Sequence, residues 1–82
     1  VSVEALGATL AGINEQIRDG YRVLLLAQRH LAEAGRCLAE LSENHSASLI
    51  PPQLAAANDA LVIGMNQLAG SMAAIERLAA RL

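Results

Sequence analysis

Apolar or small residues recur at alternating spacings of three and four from Val3 to Leu41, with no slip in register. The stripe reads Val3, Leu6, Leu10, Ile13, Ile17, Gly20, Leu24, Ala27, Leu31, Ala34, Leu38 and Leu41. It is a heptad seam sustained over about five and a half repeats, which predicts a long coiled-coil-like helix. With Val3 in slot a, the stripe fills slots a and d. Such a rod cannot bury its own seam, so the pattern constrains the fold to helix packed on helix.

Charge falls on the other side of the rod. Glu15, Arg22, Arg29, Arg36 and Glu43 occupy slot f, with Asp19, Glu33 and Glu40 beside them in slot c. Short-range pairs are expected between Asp19 and Arg22, Arg29 and Glu33, and Arg36 and Glu40, each worth only about 0.2–0.5 kcal/mol. Ser2 is a candidate cap for the helix start, and Glu4 suits the positive end of its dipole. The helix is expected over about 3–43. Asn44 is a candidate left-handed cap, followed by a turn over about 44–51. Pro51-Pro52 bars a helix from running through but suits the first turn of a new one, expected over about 52–82. Its seam reads Leu54, Asn58, Leu61, Met65, Leu68, Met72, Ile75, Ala79 and Leu82.

These elements predict one all-α domain over residues 1–82, an antiparallel two-helix hairpin joined by a short linker. Asp19-Gly20 is a possible stop signal, so a three-helix bundle with a break at Gly20 is the alternative. The unbroken register argues for continuity. On that reading the first helix is longer than the second by about 12 residues, or roughly 18 Å. The overhang would leave Val3, Leu6, Leu10 and Ile13 uncovered. A second copy of the chain is the simplest cover, making a homodimeric four-helix bundle. Residues expected at the interface are Val3, Leu6, Leu10, Ile13, Ile17, Leu24, Leu25, Leu31 and Ile63. Leu25, Leu26, Val62 and Ile63 lie off the two seams, and are either the flank of a thick bundle core or a docking patch for another helical protein.

Composition narrows the function classes. The chain is 54% hydrophobic with a single aromatic residue, Tyr21, which favours close helix packing and excludes disorder. Net charge is −2, and the six basic residues, all Arg, alternate with Glu and Asp, so nucleic acid is not an expected partner. The absence of Lys beside abundant Ala, Leu and Arg points to a GC-rich bacterial genome. The longest uncharged stretch, residues 60–75, is shorter than a membrane span and carries Asn66, Gln67 and Ser71. Glu4 and Gly7 interrupt any signal-peptide pattern, which sets the expectation of a cytoplasmic protein, or of one secreted without a cleavable signal. His30, Glu33, Cys37 and Glu40 are metal ligands by type. His30 and Cys37 stand two turns apart, about 10 Å, too far to share an ion unaided. No metal and no cofactor is expected. No nucleophile is grouped with a base and an orienter, and the glycines sit inside helical patterns rather than in a phosphate loop, so no enzyme activity is expected.

Two long helices, a short turn and an Ala-rich seam give the chain a resemblance to the small helical hairpins of the Trp-x-Gly group, the ESX-like substrates of type VII secretion. The resemblance covers the whole chain in architecture only. It implies antiparallel homo- or heterodimers that form four-helix bundles and leave the cell as pairs. The turn here reads Ser46-Ala47-Ser48-Leu49-Ile50-Pro51-Pro52, without the group's Trp. The group's trailing signal, a Tyr followed four residues later by an acidic residue, is absent, because Tyr21 is followed at that spacing by Leu25. No functional residue carries over.

Overall fold

The computed structural model describes residues 2–82. They form two helices, α1 (Val3–Ser42) and α2 (Pro52–Ala80), folded back on each other as an antiparallel hairpin. The hairpin is a rod of 65 × 14 × 14 Å with a radius of gyration of 19.0 Å. A compact domain of this length would have a radius of about 12 Å.

Local chemistry sets the helix ends. Ser2 is extended, and its hydroxyl accepts from the Ala5 N–H at 2.9 Å, satisfying one of the orphan donors of the first turn. α1 then runs through Asp19-Gly20 without a break. The stop signal is overridden because Gly20 faces the other helix: a Cβ there would lie 3.7 Å from Leu68 Cδ1.

The expected left-handed cap at Asn44 does not form, since no described non-glycine residue has positive φ. Glu43 stays right-handed, and tightened backbone bonds run from Glu43 N–H to Glu40 and from His45 N–H to Ser42. Ser42 does the work a cap would do. Its hydroxyl donates to the Leu38 carbonyl at 2.7 Å and accepts from the Leu49 N–H at 2.8 Å, tying the linker to the helix end. α2 starts at Pro52 behind an extended Pro51, where the missing N–H of Pro costs nothing.

The core is thin. Leu10 and Met65 are the buried apolar residues, each 8% exposed, and Asn14 is equally buried. The remaining seam residues are half-buried at best, as two helices cannot enclose a side chain from all sides.

Candidate interaction surface

Cross-helix pairs fix the register. Asn14 lies beside Met72, Gly20 beside Leu68, Leu24 beside Gly64 and Gly35 beside Leu54. α2 therefore reaches almost to the start of α1. The 11-residue difference in helix length, 40 against 29, is split between the two ends. The linker faces the last turns of α1, and only the first turn projects beyond α2. The expected four-residue overhang is corrected accordingly. Leu10 is not part of it; it is buried and shares a groove of about 300 Å³ with Ile75 and Ala79. Val3, 59% exposed, and Leu6, 40% exposed, remain uncovered.

The seam itself is rotated from the expected one. Slot a is used as expected: Ile17, Leu24, Leu31 and Leu38 are half-buried toward α2. Its partner column is slot e rather than slot d. All six slot-e residues are covered: Asn14 is buried, and Gly7, Tyr21, Gln28, Gly35 and Ser42 are partly so. In slot d, Leu6, Ile13, Ala34 and Leu41 are exposed, and only Gly20 and Ala27 are partly covered. The cause is visible in the contacts. The Asn14 amide Nδ2 donates to the Met72 carbonyl at 3.3 Å, and the absent side chain of Gly35 leaves room for Leu54. The apolar arc of α1, slots a and d, is wider than one helix can cover, and α2 covers its slot-a side together with the adjoining slot e. On α2 the expected seam holds from Leu54 to Ile75, with Met65 buried and Leu54, Asn58, Leu61, Leu68, Met72 and Ile75 half-buried.

The other expected interface residues divide by position. Ile13 is 38% exposed because it faces sideways, not because α2 stops short. Leu25 is half-buried on the opposite flank of α1. Ile63, 58% exposed, and Leu26 point away from the hairpin seam, as does Val23.

Ion pairs line the outer side of α1. Arg18 meets Glu15 at 2.6 Å, Arg22 meets Asp19 at 2.9 Å, and Arg36 bridges Glu33 and Glu40. Glu33 turns to Arg36, three residues on, rather than to Arg29. The hydrogen bond from Arg36, and then its charge, hold the Glu33 carboxyl below its ordinary range, and Glu33 in turn raises Arg36. Among the described residues no three His, Cys, Asp or Glu side chains converge as a metal site, and no helix is long and apolar enough to cross a membrane. Cys37 is an exposed free thiol.

One polar atom stands out. The Asn14 Oδ1 is buried and accepts no hydrogen bond. No residue pattern announced it, although an Asn in a heptad column flanking an apolar seam is the signal that could have.

Comparison with known protein families, characterised proteins and solved structures finds no match to this chain.

Proposed function

We propose that this chain is a non-enzymatic helical interaction module whose working form is a homodimeric four-helix bundle. One observation carries the reading. The hairpin exposes 5880 Å², whereas a compact monomer of 8.6 kDa exposes about 4,700 Å². The excess, roughly 1,200 Å², is larger than the ~800 Å² that a standard interface takes from each partner. Apolar side chains contribute to it: Leu6, Ile13, Leu41 and Leu78 are exposed along the hairpin. Burying such residues is the main driving force for association.

Light scattering after gel filtration in reductant tests the proposal, since reductant removes any dimer made through Cys37. Twice the chain mass is expected at micromolar concentration. A stable, helical monomer would end it, and a larger species present only without reductant would do the same.

A further inference from the structure

The two helices carry their charge on one side only. In α1 every Asp, Glu and Arg lies in slot b, c or f: Glu4 and Arg18 in b, Asp19, Glu33 and Glu40 in c, and Glu15, Arg22, Arg29 and Arg36 in f. With Leu54 in slot a of α2, Asp59, Glu76 and Arg77 fall in f, b and c. Slots a, d, e and g hold none within either helix; Arg81, the residue directly after α2, falls in slot g just beyond the Leu78 end of the slot-d column. In an antiparallel pair, equivalent slots flank the seam on the same side, and the contacts agree. Gly20, in slot d, meets Leu68 in slot a; Leu24, in slot a, meets Gly64 in slot d. The hairpin therefore has one flank built from both slot-d columns and free of charge. Leu6, Ile13 and Leu41 line it on α1, and Leu78 on α2, all exposed. The opposite flank carries Glu4, Arg18 and Glu76.

Resting on the dimer reading above, we infer that this uncharged flank is the face on which a second copy of the chain docks. Three observations select that occupant. The strip runs from Leu6 to Leu41, about 50 Å, so whatever covers it is an elongated apolar rod of that length, as a second hairpin is. A two-fold dimer brings a patch against itself, and a face without charge meets itself without like-charge repulsion. The surplus exposed area is enough to supply one such interface. Between the larger residues lie Ala34 and Ala57, both exposed and small enough to let backbones approach closely once the face is closed. The outward-pointing Val23, Leu26 and Ile63 stay outside the contact.

The test compares charges placed on the two flanks. Ile13→Glu and Ala34→Glu sit on the uncharged flank; Ala32→Glu and Val62→Glu sit on the other. Ala34 is exposed in the hairpin, and Glu is a strong helix former, so A34E keeps its helices, which far-UV circular dichroism checks. Both uncharged-flank variants are expected to weaken dimerisation at least about a hundredfold while staying helical, with the other two dimeric as wild type. If I13E and A34E remain dimers, or if A32E and V62E are the ones that dissociate, the face is wrong and the dimer stands. A wild-type chain that is monomeric removes the dimer and the face together.

Discussion

Asn14 donates to the backbone carbonyl of Met72 at 3.3 Å across the hairpin, while its own side-chain oxygen, buried beside that bond, accepts nothing. The Met72 carbonyl belongs to the interior of α2 and keeps a helical N–H partner whether or not Asn14 is present. The bond therefore sets register more than it adds stability, as a lone polar residue in an apolar seam does in coiled coils. The orphan oxygen costs about 1–3 kcal/mol in desolvation.

Replacing Asn14 should show that balance. Asn14→Leu removes the orphan acceptor and leaves no donor stranded, and the neighbouring groove has space for the branched side chain. It is expected to stabilise the chain by about 1 kcal/mol, or roughly 4–8 °C in Tm. Asn14→Asp, which buries a charge, is expected to lower Tm. Thermal melts followed by circular dichroism measure both. A lower Tm for N14L would mean that the oxygen has a partner in the assembled protein.

Two glycines offer a cleaner gain. A Cβ at Gly12 or Gly70 would meet nothing within 4 Å, whereas at Gly64 it would press on Leu24 Cδ1 at 3.3 Å. Gly12→Ala and Gly70→Ala should each stabilise by about 0.5–1 kcal/mol through helix propensity alone. Both lie in slot c, away from the seam and the uncharged flank, so neither should change the mass in solution. Gly64→Ala is expected to gain less than either. Urea unfolding ranks the three, and a Gly64→Ala gain equal to that of Gly70→Ala would show that Leu24 moves aside freely.

The hairpin was legible because its evidence is long and redundant: a register sustained from Val3 to Leu41, then a Pro-Pro stop that also starts α2. The a/e choice was not. Slots d and e are both adjacent to slot a, and hydrophobicity alone favoured Leu6 and Ile13 over Gly7 and Asn14. What decided it was space at Gly35 and a backbone bond from Asn14, neither of which periodicity records. Leu10 was misplaced for a related reason. Helix lengths give an overhang but not its distribution, and the linker tie from Ser42 to Leu49 takes up part of the slack at the far end. Charge segregation, by contrast, was fully present in the residue order, but its meaning depended on knowing which flank α2 leaves open.

The Glu33–Arg36 pair carries a pH signature. Because the folded carboxyl titrates below its ordinary range, its contribution to stability is present above that range and fades as pH falls through the lowered value. Both groups are exposed, so salt should erode the effect. Arg36→Gln is expected to return the Glu33 titration upward. Carbon-detected NMR of the side-chain carboxyl reads this directly, and an unchanged Glu33 midpoint in R36Q would show that Arg36 is not the cause.

Leu10 and Leu6 lie four residues apart on α1, yet they should fail differently. Leu10 is covered by its own hairpin arm, so Leu10→Ala removes intrachain burial and is expected to cost about 2 kcal/mol, at the low end for a core Leu because the adjoining groove is already open. Leu6 projects past α2 on the uncharged flank, so Leu6→Ala removes little from a single hairpin. Its loss should appear only where two chains meet. Protein concentration separates these cases, because interchain contacts contribute by mass action and intrachain contacts do not. Urea midpoints for L10A should fall by a similar amount at low and high micromolar protein. For L6A the deficit should grow as concentration rises into the range where wild type dimerises. Equal, concentration-independent losses at both positions would mean that Leu6 is covered within its own chain.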